Sequence, residues 1–335
     1  MAPATVLLAG LLLPFLGLLA PLPAQDARAE LVAADQRASQ LISDSGLSSA
    51  LRSILHPTGF LLWPGAPVIA GVQHRERFLQ LRPRGDSLRL TWQPLGVEVA
   101  RDSTLGVTWG VAVNTSRVAA AAPRLGRYIS AWRRDSKKWS IAALALIGIE
   151  PPSSPAQFAG LPLTRDTARP AGPTAPFIAA DLAFARLARD SGAATAFRRW
   201  AASDALTFGG GSLLVRGPDA IAQAVAGPQR WRWHPVAAGA SANGDLGWTV
   251  GEAVIEGGEG DVSYSKYLTI WSRRKPGSSV SARWWECPAR YSLSTGAQFE
   301  RSPGPPSRGR RSHQTSPAID RLKSAAVVLM RKKVR

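Results

Sequence analysis

One cysteine, Cys287, stands in a chain of 335 residues. An internal disulfide is therefore impossible, and no metal site can be assembled from thiolates. Histidine is nearly as scarce. His56, His74, His234 and His313 are dispersed, and none shows the His-Glu-x-x-His spacing that puts two imidazoles on one helix face. Neither a metal nor a cofactor is expected. There is no Gly-x-Ser-x-Gly turn to present a nucleophilic serine, and no phosphate loop; Gly209-Gly210-Gly211 reads as a turn between a strand and a helix. Acidic residues are few, 23 Asp+Glu against 41 Lys+Arg, for a net charge of +18. That surplus is not spread evenly. From Arg273 to Arg335 there are 15 Lys/Arg and 3 Asp/Glu, an excess of 12, which leaves +6 for the preceding 272 residues. A phosphate-binding surface belongs on a folded face or a known motif. None is present here, so specific nucleic-acid binding is not expected.

What is present begins with an apolar, Leu-rich run from Val6 to Ala20, followed by small residues at Pro23-Ala24 and Ala27-Arg28-Ala29. A short apolar core before a small-residue site reads as an export signal over 1–29, cleaved after Ala24 or Ala29. The core is shorter than the roughly 20 residues a membrane-spanning helix prefers, so no stable span is expected after cleavage. The n-region carries no Lys or Arg, and the alternative reading is an uncleaved anchor. No cysteine follows the core, which excludes a lipoprotein. The expected location is periplasmic or extracellular.

The rest is organised by an internal repeat. Leu31-Val32-Ala33-Ala34-Asp35 recurs as Phe177-Ile178-Ala179-Ala180-Asp181, and Asp44-Ser45-Gly46 as Asp190-Ser191-Gly192, both at an offset of 146. Gly71 matches Gly217 at the same offset. Trp92-Gln93-Pro94 then pairs with Trp233-His234-Pro235, and Leu105 to Gly110 with Leu246 to Gly251, at an offset of 141. Tyr128 to Trp132 pairs with Tyr267 to Trp271 at 139, as expected if only loops change length. The boundaries that follow are a first domain over 30–150, a Pro-rich linker over 151–176, a second domain over 177–277 and a basic tail over 278–335.

Each copy opens with helical composition, Leu31 to His56 and Phe177 to Ala202; Ser45-Gly46 predicts a break in the first of these. Short strands are expected at Phe60 to Trp63 and Leu206 to Phe208, and short helices at Gly71 to Phe78 and Gly217 to Val225. Strand-like runs follow at Leu88–Leu95, Gly106–Asn114, Gly126–Arg133 and Trp139–Ile147. Helices first and a mostly antiparallel sheet afterwards make an α+β fold. In the second copy no closing strand is recognisable after Gly277. The Arg-, Ser- and Pro-rich stretch there reads either as a disordered extension or as a change of reading frame, and without that strand the second sheet would keep an open edge.

The Leu-Gly-x-Thr-x-Gly strand (Leu105 to Gly110, with Leu246 to Gly251) and the Tyr-x-x-x-Trp strand (Tyr128 to Trp132, running on into Arg133-Arg134, with Tyr267 to Trp271) resemble the SnoaL-like, nuclear-transport-factor-2-like and ketosteroid-isomerase-like superfamily. The nearest likeness is its domain of unknown function 4440 branch, over about Leu31 to Pro276. The resemblance implies two cone-shaped, curved mixed or antiparallel sheets, each wrapped by N-terminal helices, a cystatin-like α+β roll. It also implies a pocket at each open end. Two fused copies are expected to pack as an internal pseudo-dimer.

The Asp base and Tyr/Asp oxyanion pair of isomerase relatives cannot be matched here, and Tyr128 and Tyr267 read as packing residues. Pocket candidates are His56 and Asp204 at the turns, Trp63, Trp109 and Trp248 in strands, and Glu252. Glu252 shares a face with Leu246, Trp248, Val250 and Val254, where a carboxylate can titrate high and serve as an acid or base. The plain alternatives are a backbone-satisfied His and Asp, packed indoles and a paired rim Glu. The expected role is an exported protein holding a small apolar molecule in a cone. The alternatives are an acid–base enzyme of isomerase, cyclase or hydratase type, with Glu252 as catalytic candidate, and a non-catalytic interaction module. The absence of a convergent polar set weighs against the enzyme.

Overall fold

The computed structural model describes residues 24–82, 88–116, 122–136, 138–149, 161, 168–208, 214–257, 262–273 and 280–287. The apolar run Val6 to Ala20 and most of the linker and tail lie outside the described residues.

Helix α1 spans Ala24–Ile54 and is broken at Gly46, whose φ of 78° and ψ of 161° are not helical. The second half repeats the device: α3 spans Ala175–Ser191, Gly192 adopts φ 83° and ψ 155°, and α4 spans Ala193–Trp200. A positive φ is costly for any residue with a Cβ, which is why glycine stands at both breaks. Strands β1 (Leu55–Leu62) and β2 (Ile69–Ala70) follow, then α2 (Gly71–Leu81), β3 (Leu88–Val99), β4 (Leu105–Ser116), β5 (Arg124–Asp135) and β6 (Lys138–Ile147). The same order recurs as β7 (Leu206–Phe208), β8 (Leu214–Arg216), α5 (Pro218–Ala224), β9 (Arg230–Ala240), β10 (Leu246–Glu256), β11 (Val262–Arg273) and β12 (Val280–Cys287).

Two sequence expectations need correction. Trp63 lies one residue past the end of β1, not within a strand. A closing strand does follow Gly277: β12 pairs antiparallel with β11 from Arg273↔Val280 to Lys266↔Cys287. Val280, Ala282 and Trp284 do alternate with Ser281 and Arg283, but the run is short and lies inside an Arg-, Ser- and Pro-rich stretch, which masks it. The edge of β11 expected to be open is therefore covered.

The first sheet has the order β2-β1-β6-β5-β4-β3, with β1 and β6 parallel and the other pairs antiparallel. The second has the order β12-β11-β10-β9, and β7 and β8 form a separate hairpin. Register shifts at Pro94/Gly96 and Val250/Gly251 mark bulges at matching places, which strengthen local twist. Glycine is required opposite each. A Cβ on Gly110 would sit 2.0 Å from the Gln93 carbonyl oxygen, and one on Gly251 2.3 Å from that of His234.

Side-chain alternation then sets three cores. Inner faces pack on the helices: Leu31, Ile42, Leu51, Trp63, Phe78, Tyr128 and Trp132 in the first half, Phe177, Phe184, Phe197, Trp233, Tyr267 and Trp271 in the second. Outer faces pack on each other. Leu62, Leu105, Val107, Ile129 and Ala143 of the first sheet meet Leu246, Trp248, Val250, Leu268 and Ile270 of the second. Two equivalent turns clasp across this junction. Arg101 donates from its backbone N–H and from Nε to Asp245 Oδ2, at 3.0 and 2.9 Å. The Ala242 N–H donates to Thr104 Oγ1 and the Asn243 N–H to Asp102 Oδ2.

Candidate functional site

The inner faces carry a polar chain that appears twice. Asp35, on the buried side of α1, accepts from Thr108 Oγ1 of β4 at 2.7 Å and from the Tyr128 hydroxyl of β5 at 2.6 Å. Trp132 Nε1 donates to Thr108 Oγ1 at 2.9 Å. In the second half Thr249 Oγ1 and the Tyr267 hydroxyl donate to Asp181 at 2.5 and 3.0 Å, and Trp271 Nε1 donates to Thr249 Oγ1 at 2.8 Å. Burial pushes the Asp35 carboxyl up to about 6 and that of Asp181 up to about 7, against hydrogen bonds that favour the anion. Burial and the adjacent carboxylate push both tyrosines up. Sequence reading treated the tyrosines as packing and gave the aspartates no role. The signal was present: Asp, Thr, Tyr and Trp all recur at the repeat's offsets.

These groups are closed off. Asp35, Thr108, Tyr128, Asp181, Thr249 and Tyr267 have no accessible surface. An atom lining a void large enough for water would show some, so the carboxylates face packed side chains rather than a pocket.

The outer face of the second sheet is different. His234 of β9, Glu252 of β10 and Lys266 of β11 stand directly opposite one another, because Glu252 pairs with both. Adjacent strands lie about 4.8 Å apart, so the three make one row across the sheet. Lys266 is fully buried, and its Nζ donates to the Ala66 carbonyl of the first half. Glu252 and His234 are half-buried. Glu252 Oε1 and His234 Nε2 are each buried without a hydrogen-bond partner among the described residues. Burial lifts Glu252 to about 7, with Lys266 pulling the other way, and burial lowers the His234 imidazole.

The six pocket candidates are not gathered at one place. Glu252 and Trp248 lie on the junction face of the second sheet, and Trp109 on that of the first. The Trp248 ring meets Phe60 of the first half edge-on at 5.7 Å. Trp63 is in the first inner core, 5.6 Å from Phe78 with the Arg82 guanidinium over its ring. His56 closes a local turn: the Thr58 N–H donates to Nδ1 at 3.2 Å, and Nε2 lies 3.8 Å from Asp135. Burial first, then Arg133, lowers its pKa. Asp204 lies in the turn before β7. Sequence reading placed Glu252 on the correct face but did not reveal that another sheet covers it. Among the described residues no group of three or more His, Cys, Asp or Glu can hold a metal, and no helix is long and apolar enough to cross a membrane.

No family model matches the sequence, and no curated protein matches it. Among solved structures, the chain is similar to an NTF2-like protein with a cystatin-like fold from Novosphingobium aromaticivorans. That match has 17% identity and a TM-score of 0.32, over 37% of this chain and 82% of the other. It is also similar to a ketosteroid isomerase-like protein from Erwinia carotovora atroseptica, at 16% identity and a TM-score of 0.30, over 36% and 95%. An NTF-2 like protein of unknown function from Shewanella oneidensis matches at 9% identity and a TM-score of 0.30, over 35% and 96%.

Proposed function

We propose that the chain is an exported binding protein built from two copies of one SnoaL-like domain of the domain of unknown function 4440 branch. It holds a small, largely apolar molecule at the rim of the junction between its sheets. The observation that carries this reading is the set of part-exposed apolar and polar side chains on the junction side. Phe60, Trp109, Val236, His234 and Glu252 keep accessible surface there, whereas Asp35 and Asp181 on the inner faces have none. Apolar walls with a few unsatisfied polar groups are what ligand sites are made of. The test is a thermal-shift panel of small aromatic and aliphatic compounds on the mature protein. A ligand whose stabilisation disappears in Trp109→Ala supports the reading; stabilisation unaffected by that substitution, or none across the panel, overturns it.

Glu252 favours a second reading, an acid–base enzyme of isomerase, cyclase or hydratase type. A half-buried carboxyl titrating near 7 is matched to proton transfer at neutral pH. Turnover of any panel ligand that stops in Glu252→Gln, with binding retained, would select it.

Export belongs to the same proposal. Ala27 is buried, Arg28 Nη2 donates to the Val97 carbonyl at 2.5 Å, and Glu30 pairs with Arg134. Cleavage after Ala24 keeps all three contacts, and cleavage after Ala29 loses the first two. N-terminal sequencing of protein recovered outside the cytoplasm decides between them.

A further inference from the structure

We propose that Lys266 and Glu252 form a proton-operated latch between the two halves: Lys266 grips the buried loop between β1 and β2 while Glu252 is protonated, and releases it when Glu252 is ionised. The latch is independent of any ligand at the rim.

The loop depends on a donor from outside itself. Residues 63–69 are all buried. Pro64 and Pro67 have no N–H to give, and the Ala66 N–H turns back to the Trp63 carbonyl at 3.2 Å. A buried carbonyl still needs a partner. The Ala66 carbonyl takes its hydrogen bond from the other half, from the Lys266 ammonium of β11, which is itself fully buried. Val68 of the same loop packs in the junction core with Leu268 and Ile270, so what holds Ala66 also holds the junction.

Lys266 has a second acceptor within reach. Glu252 stands directly opposite it on β10, with Cβ atoms about 5 Å apart, and is its charge neighbour. Glu252 Oε1 is buried and makes no hydrogen bond among the described residues. Protonated, Glu252 leaves the ammonium to Ala66. Ionised, it competes for that ammonium, because a bond between two charged groups is roughly twice as strong as one between neutral partners. A buried carboxylate also draws in water. Both effects loosen the loop.

The repeat separates this pair from packing. The corresponding residues of the first half are Val111 and Arg127, which also stand directly opposite one another. That half keeps the cation and has no acid beside it. Only the second half's cation has a titratable partner across the strands.

The groups facing Glu252 set the control. On β9 they are His234, whose imidazole burial holds below its ordinary 6.5, and Arg232, which is paired with Glu256 farther along β10. On β11 Tyr264 lies two residues from Lys266, and Cys287 is the register partner of Lys266 on β12. Tyr267 lies on the inner face, hydrogen-bonded to Asp181, which titrates near 7 as well. From the first half, loop 64–70 and β4 carry no charge, and β6 carries only Lys138 at its start. Burial raises Glu252 from 4.5 to about 7. Stability from a raised carboxyl is complete below the unfolded value and is lost as pH climbs through the folded one, so the latch is closed in acid. That gap corresponds to about a thirtyfold change in loop protection between pH 5.5 and pH 8.5.

The experiment is amide hydrogen exchange of the mature protein at pH 5.5 and pH 8.5, read as protection factors for Gly65, Ala66 and Val68. These factors remove the base catalysis of exchange itself. In the unaltered protein they should fall about thirtyfold from the lower pH to the higher. Glu252→Gln, which cannot titrate, should show equal protection at both. Glu252→Val, with the residue found in the first half, should do the same and decides if Glu252→Gln does not fold by circular dichroism. Asp181→Asn removes the other high-titrating carboxyl of that half and should keep the full response. Equal protection at both pH values in the unaltered protein, a response retained without Glu252, or a response lost in Asp181→Asn overturns the latch.

Discussion

Asp35 and Asp181 tie a helix to the sheet beneath it, and both do so with a carboxyl whose proton is held more tightly in the folded chain than in the unfolded one. The sign of the consequence is fixed. A carboxyl raised from 3.8 to about 6 or 7 contributes stability that is complete below pH 4 and is lost as pH climbs through its folded value. For Asp35 alone the loss amounts to about 3 kcal/mol. Glu76, drawn down by its hydrogen bonds to Arg52, works in the opposite direction, but that pair is exposed and contributes little. The melting temperature is therefore expected to be higher at pH 5 than at pH 8, and Asp181→Asn, which cannot titrate, should flatten that profile. A melting temperature that rises from pH 5 to pH 8 would contradict the burial of both carboxyls. These aspartates were visible in the sequence as repeated letters. Their partners were not, because Thr108 and Tyr128 lie 73 and 93 residues from Asp35, and only the β4–β5 pairing brings them under α1.

At the scale of elements, the kinked first helix is the feature read most directly. Gly46 and Gly192 occupy the same place in each half at positive φ, and a Cβ at either would touch nothing within 4 Å. The cost of a side chain there is thus purely backbone strain. Gly46→Ala and Gly192→Ala should each destabilise by about 1–3 kcal/mol in urea unfolding, with the m-value unchanged. A loss several times larger would mean that the kink also determines packing. Strand β12 shows the opposite case. Its alternation, Val280, Ala282 and Trp284 against Ser281 and Arg283, is short and sits in an Arg-, Ser- and Pro-rich stretch, and its place is assigned by eight successive register pairs with β11. An edge strand can borrow its conformation from a neighbour's backbone hydrogen bonds, so its own side chains need not announce it.

At the scale of the molecule, the junction packs the outer faces of the two sheets against each other, and the two halves are expected to unfold together. Trp248 lies on its apolar face against Phe60, and Asp245 anchors the clasped turns by accepting from Arg101 and from Ser241 Oγ at 3.0 Å. Asp245→Ala strands those donors and should cost about 1–3 kcal/mol. Trp248→Ala removes a large buried ring and should cost about 3–5 kcal/mol. Scanning calorimetry of the unaltered protein should show one transition, and Trp248→Ala should split it into two. Two transitions before any substitution would mean that the junction does not couple the halves.

Local order was within reach of the sequence by itself. The repeat with its changing offsets, the α+β order, the helix break at glycine and the face on which Glu252 lies all follow from periodicity and backbone chemistry, which act over a few residues. The tertiary structure decided what covers each face. A strand's alternation says which side chains share a side. It does not say whether that side meets a helix, water or a second sheet. That difference buried Asp35 and Asp181, moved Glu252 from an expected cone pocket to the junction, and set it in one row with His234 and Lys266.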